Sequence, residues 1–235
     1  MGTWNWQVFL QDTGDGQTYL QWLVSAWGWT LSVALLALLI ALVVGSFIGI
    51  LRTVPNRTLS LLGEAWAELF RNVPLLVQLF VWYHVLPAIF LPLRSVPSFL
   101  LVVFGLGFFT SARIAEQVKA GILTLPKGQR YAGLAMGLTL SQTYRYVLMP
   151  MAFRIVIPPL TSESMNIIKN SSVAFAVSIA ELTFFAQQAA EETSRGVEIY
   201  LAVSFLYFIS AFLINRLAMV IEHRVQVPGM VGAGK

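Results

Sequence analysis

Residues 27–51 read WGWTLSVALLALLIALVVGSFIGIL, 25 positions without a single charge. As a helix rising about 1.5 Å per residue, that run is longer than the hydrocarbon core of a bilayer, roughly 30 Å. It decides the solvent: this segment is built to sit in lipid. The rest of the chain agrees. Of its 235 residues, 57% are hydrophobic and 11% charged, whereas a soluble domain keeps about 25% charged to wet its surface. A soluble all-helical protein of this composition would lack the polar residues to cover itself. Length alone allows one or two domains. The apolar stretches leave no room for a soluble one, so the expectation is a single membrane domain, 1–222, and a short tail, 223–235.

Outward from that run, the chain divides into apolar stretches punctuated by charge and proline. Arg52 and Pro55 close the first span, expected over about 24–51. Gly45 and Gly49, four apart within it, either admit a close neighbouring helix or are simply tolerated against lipid. A second span is expected over about 66–90, with Asn72 and Pro74 near its start, and a third over 95–119, where the uncharged run stops at Arg113. The last is expected over 197–221, its uncharged core lying between Glu198 and Arg216. Between them, 154–182 contains Pro158, Pro159, Glu163 and Lys169. It scores weakly by hydropathy but reads as a span, because a charge inside a membrane is kept where it faces a cavity or the bundle interior. A re-entrant or surface helix is the other reading. The fold class is therefore all-α integral membrane, with five transmembrane helices.

Charge placement orients them. With the N-terminus outside, the first inner connection holds Arg52, Arg57 and Arg71, and the second holds Arg113, Lys119, Lys127, Arg130, Arg145 and Arg154. The tail holds Arg224 and Lys235. The outer segments keep only Arg94 and Arg195, against Asp12, Asp15, Glu191, Glu192 and Glu198. Basic residues stay on the cytoplasmic side. The net charge of +4 is thus spread beside the spans and is no nucleic-acid patch. No Lys or Arg precedes the first span, so no cleavable signal is expected. The tryptophans of that region (Trp4, Trp6, Trp22, Trp27, Trp29) suit the headgroup level, or else the aromatic face of a buried helix.

The long inner connection, with its coupling segment at 125–150, predicts helix to Leu123, a Leu-Pro-Lys-Gly turn at 125–128, and helix again from Gln129. Tyr131, Leu134, Ala135 and Leu138 recur at helical spacing, Gly137 permits a bend, and Thr139 or Ser141 can start another short helix. Two short helices joined at a glycine form either a knob for a groove in another protein or a loop folded onto its own bundle. No phosphate-binding Gly-x-x-x-x-Gly-Lys-[Ser/Thr] occurs. With no cysteine and only His84 and His223, no metal site and no catalytic group are expected.

These stretches resemble the permease subunits of polar amino-acid ABC importers, the histidine and glutamine permease family, and among them the glutamate/aspartate permease subunits. The resemblance covers nearly the whole chain. It rests on Glu68-Leu-Phe-Arg71-Asn-Val-Pro74-Leu-Leu-Val-Gln78, and on Leu125-Pro-Lys-Gly-Gln129 with Ala132, Gly137-Leu138 and Pro150, which follow the EAA-type signature. It rests also on Ile157-Pro158-Pro159-Leu-Thr-Ser-Glu163 and Asn166-Ile-Ile-Lys169-Asn170-Ser171-Ser172. The resemblance implies the type I ABC importer permease fold, a bacterial inner-membrane location, and a periplasmic N-terminus with a cytoplasmic C-terminus. It implies a second permease chain (the same or a different one), two ATPase subunits holding ATP and Mg, and a periplasmic amino-acid-binding protein. The chain itself would carry no cofactor and no enzyme site. ATPase coupling would fall to Gln129, Tyr131, Ala132, Gly137 and Leu138. Where many members open the signature with Glu, this chain has Tyr131, and Gly133 replaces the second alanine, so the contact made by that acid does not carry over.

The same resemblance draws attention to Lys169. Members carrying basic amino acids often place Asp directly after this lysine, and here the position is the neutral Asn170. A cation without a neighbouring carboxylate favours an acidic amino acid, glutamate or aspartate, with Asn166, Glu163, Ser171 and Ser172 as further polar groups of the pathway. Glutamine or another polar amino acid is the alternative within the family. Pairing of Lys169 with Glu163 would instead be structural, although six positions do not share a helix face. Outside the family stand a secondary transporter, for which no internal repeat is evident, and a structural membrane subunit, which gives no reason for Lys169 or the basic inner segment.

Overall fold

The computed structural model describes residues 4–225; the tail from 226 onward, with Lys235, and the side chain of His223 lie outside the described residues. Among the described residues the chain is helical, with one isolated bridge between Asp12 and Thr18. The helices are α1 (Tyr19–Leu51), α2 (Arg57–Asn72), α3 (Leu75–Phe80), α4 (Leu86–Ile89), α5 (Ser98–Leu123), α6 (Lys127–Ala135), α7 (Leu140–Thr143), α8 (Met149–Ser171), α9 (Leu182–Thr193) and α10 (Gly196–Val225). Three of them, Tyr19–Leu51, Ser98–Leu123 and Gly196–Glu222, are long and apolar enough to cross a membrane unaided. Two broken pairs, Arg57–Asn72 with Leu75–Ile89 and Leu140–Val177 with Leu182–Thr193, bring the number to five if each pair is one crossing.

The breaks have local causes. Val73 is extended (φ −94°, ψ 131°) because a residue before proline is kept out of the helical region, and Pro74 then caps α3. The second apolar stretch is therefore two helices and not one rod beginning near residue 66. Wide π turns at Val81–Val85 and Tyr144–Leu148 sit just ahead of Pro87 and Pro150. A proline ring clashes with the carbonyl four residues back, and a widened turn gives it room. In the fourth stretch, α8 carries Pro158 and Pro159 inside it and passes into a 3-10 turn, Ser172–Val177, which ends at left-handed Ser178. Helix α9 follows, where the sequence had suggested only an outer connection.

Two compact units divide the chain. The first comprises Met1–Leu38, Pro74–Gly107 and Met165–Leu213. Its core gathers Val8, Leu23, Leu182, Phe185, Ala189 and Ile199. Trp22 meets Phe185 edge-on with ring centres 5.1 Å apart, and the Trp27 indole donates to the Ser210 hydroxyl at 2.8 Å. Trp22 and Trp27 are thus half-buried in the packing of this unit, while Trp4, Trp6 and Trp29 stay exposed.

The second unit comprises Leu39–Val73, Phe108–Ser164 and Ile214–Lys235. Here α1 and α5 touch along glycines: a Cβ at Gly45 would fall 2.7 Å from Ile114 Cβ, and one at Gly49 2.6 Å from Val118 Cβ. Of the two readings of this glycine pair, close helix approach is the one realised. The charged end of α5, from Arg113 onward, is held by ion pairs. Arg52, buried at the end of α1, forks onto Glu64 of α2 at 2.8 and 2.9 Å and meets Glu116 at 2.8 Å. Lys119 also reaches Glu64, at 3.1 Å.

Candidate functional site

Within the first unit lies a cavity of about 350 Å³, bounded by the end of α8, by α9 and by α10. Lys169 lines it from the end of α8 and Ser172 from the 3-10 turn that follows; Thr183 and Ala186 from α9; Tyr200, Val203, Ser204 and Tyr207 from α10. The local chain builds this wall step by step. After Ser178 the backbone is reset, and Glu181 becomes the N-cap of α9. Its Oε1 accepts from the backbone N–H of Thr183 (2.9 Å) and Phe184 (3.0 Å), while the Leu182 N–H goes to the Thr30 hydroxyl at 3.0 Å. The orphan donors of the helix start are thereby used. The other carboxylate oxygen, Oε2, accepts from the Tyr207 hydroxyl at 2.5 Å, and Thr183 Oγ1 lies 3.0 Å from the same tyrosine oxygen. Glu181 is fully buried behind the cavity wall. One cation, several hydroxyls and apolar Ala186 and Val203 make a lining suited to a small zwitterion.

The six polar residues singled out by sequence do not all come together. Lys169 and Ser172 line the cavity. The Ser172 hydroxyl donates to the Lys169 carbonyl at 2.7 Å, and that of Ser171, which is buried, donates to the Ile168 carbonyl at 2.7 Å. Asn166 and Asn170 are half-buried on the same helix and stand outside the cavity's described lining. Glu163 belongs to the second unit, where Arg113 forks onto it at 2.9 and 3.1 Å and Gln117 adds a bond of 3.1 Å. Its partner is thus Arg113 and not Lys169. Glu181, Thr183 and Tyr207 escaped the sequence reading. The available signal is an acid set among Ile179, Ala180, Leu182 and Phe184, at the end of the span expected over 154–182.

In the second unit, α6 and α7 form the bent pair. Helix α6 starts at Lys127 and ends at Ala135, so Leu138 falls beyond it. Gly137 has φ +84°, and the Leu138 N–H reaches back to the Gly133 carbonyl at 3.1 Å, a helix ending that favours glycine. Thr139 and Gln142 form a reciprocal capping box that starts α7. Gly133 is the residue turned inward, against Thr143, where an added Cβ would meet the methyl at 2.8 Å. Tyr131, Leu134 and Met136 face out, Met136 being 84% exposed. The apolar residues of α6 therefore point away from their own unit. Ala132 is exposed as well, while Gln129 and Leu138 are half-buried.

Residues 41–227 match the family described as "Binding-protein-dependent transport system inner membrane component". The chain belongs to that family. It is 44% identical to the glutamate/aspartate import permease protein GltJ of Escherichia coli (strain K12), over 97% of this chain and 98% of that one. It is 33% identical to the glutamine transport system permease protein GlnP of the same organism, over 84% and 90%. Among solved structures, an amino acid ABC transporter crystallised with histidines matches with a TM-score of 0.76 and 29% identity, covering 88% of this chain and 95% of that one. The permease is thus a multi-pass inner-membrane protein with the all-α, type I importer fold. The relatives are permease subunits, not ATPases.

Proposed function

We propose that this permease is the membrane subunit of an ABC importer and passes an acidic amino acid, glutamate or aspartate, across the inner membrane. The observation that carries the substrate is Lys169: a lysine in the cavity of the first unit, followed by neutral Asn170. A cation there is costly unless water or a ligand meets it, and the side-chain carboxylate of an acidic amino acid supplies the opposite charge. The 44% identity to GltJ supports the same substrate class. The identity to GlnP supports a second reading, glutamine or another polar amino acid.

A second permease chain, two ATPase subunits that bind ATP with Mg, and a periplasmic binding protein complete the importer. The N-terminus lies outside and the C-terminus inside. The α6–α7 pair is the surface for the ATPase, with Tyr131 and Ala132 exposed beside Met136 and the turn set by Gly137. In this reading Asn166 and Asn170 serve the substrate path beside the cavity, and Glu163 holds the bundle.

The test is uptake of glutamate, aspartate and glutamine by vesicles containing the permease assembled with its native partners. Lys169→Ala is expected to abolish uptake of the acidic substrates without preventing assembly. Uptake at the unmodified rate would remove Lys169 from the mechanism.

A further inference from the structure

Glu181 is an unused carboxylate behind the wall of the cavity, and its bonding fixes which way the hydroxyls of that wall can point. A tyrosine hydroxyl carries one proton. That of Tyr207 is directed to Glu181 Oε2 at 2.5 Å, so Tyr207 cannot also donate to Thr183, 3.0 Å away. The Thr183 hydroxyl must then be the donor in that contact and send its own proton to Tyr207. Both residues line the cavity. With their protons turned inward they present only oxygen lone pairs to it.

We infer that Glu181 is a positioning residue that makes the Thr183–Tyr207 wall an acceptor surface for the ammonium group of the substrate. Lys169 then serves carboxylate and the Thr183–Tyr207 wall serves ammonium, so one cavity distinguishes the two ends of an amino acid. This rests on the reading of the cavity as the substrate's site.

Glu181→Gln separates polarity from mere support. The glutamine Oε1 can still accept from the Thr183 and Phe184 N–H groups, so the cap of α9 is retained. Its amide nitrogen, facing Tyr207, only donates. Tyr207 must then accept, its contact with Thr183 reverses, and a hydroxyl proton is released toward the cavity, where an ammonium needs an acceptor. Tyr207→Phe removes that oxygen but leaves the Glu181 carboxylate in place and the Thr183 oxygen able to accept from the cavity. In assembled complexes Glu181→Gln is expected to lower amino-acid uptake about tenfold or more, the scale of one hydrogen bond to a charged group, and Tyr207→Phe by less. A purely structural carboxylate predicts the reverse order, because Tyr207→Phe strips a donor from it. Uptake by Glu181→Gln close to the unmodified rate, or a Tyr207→Phe defect at least as large, would overturn the inference. Should Glu181→Gln fail to assemble, Thr183→Val decides: a loss of uptake is expected, and unchanged uptake overturns it. Lys169→Ala, run beside these, separates the two levels. Loss there with normal Glu181→Gln uptake sinks only the acceptor wall, whereas normal uptake by Lys169→Ala sinks the cavity as the carboxylate's site.

Discussion

Two buried carboxylates, Glu163 within α8 and Glu181 at the N-cap of α9, show how surroundings divide the work. Glu163 has a cation on it, Arg113, held by two hydrogen bonds and joined by Gln117. Removing it strands a guanidinium. Because the Arg113 side chain is 43% exposed, water takes up part of that loss, and Glu163→Ala is expected to cost about 1–3 kcal/mol, below what a wholly buried pair would lose. A lowered thermal midpoint of the solubilised complex checks this; an unchanged midpoint contradicts the pair's structural role. Lys169 was legible from sequence because a lone cation in an apolar run demands a reason. Glu181 was not, since it lies near the end of its run and its partner Tyr207 is 26 residues further on. Periodicity carries no information about a contact of that range. Glu163 was visible as a costly charge, but its partner was not, because nothing in its own segment points to Arg113, 50 residues earlier.

At the scale of elements, short-range chemistry was readable and interrupted periodicity was not. The capping box of α7 is written in the three-residue spacing of Thr139 and Gln142, and the turn before α6 in Pro126. The apolar series Tyr131, Leu134, Ala135, Leu138 overran its helix, because the chain turns left-handed at Gly137 before Leu138. That φ of +84° gives Gly137→Val its expected effect. A left-handed L-residue costs about 1–2 kcal/mol, more when β-branched, so the α6–α7 bend is lost or distorted. The ATPase subunit recovered with the permease, and the hydrolysis coupled to uptake, should both fall. Normal coupled hydrolysis by Gly137→Val complexes would show that the bend does not matter to the partner. The breaks at Pro74 and before Pro87 and Pro150 follow from proline chemistry. Hydropathy averages across them, which is why the second stretch appeared to be one rod.

For the molecule as a whole, four of the apolar stretches and the arginine and lysine bias were plain in the sequence, because lipid is an unforgiving solvent, while the stretch at 154–182 read weakly through its prolines and charges. The chain has no cysteine, so single cysteines report sidedness cleanly. Met136→Cys and Asp15→Cys, both at exposed positions, are expected to label from opposite faces of the membrane, Asp15→Cys from outside. Labelling of both from one face would reverse the placement of α6 and α7 and with it their docking to the ATPase. Substrate choice depends on fewer groups than the fold does, and it is the most direct exposure of the account. Vesicles holding the permease with its native partners should accumulate glutamate and aspartate in an ATP-dependent manner, with little glutamine, and should lose that uptake in Lys169→Ala. Accumulation of glutamine in preference to both acids, or acidic uptake that survives the loss of Lys169, would contradict it.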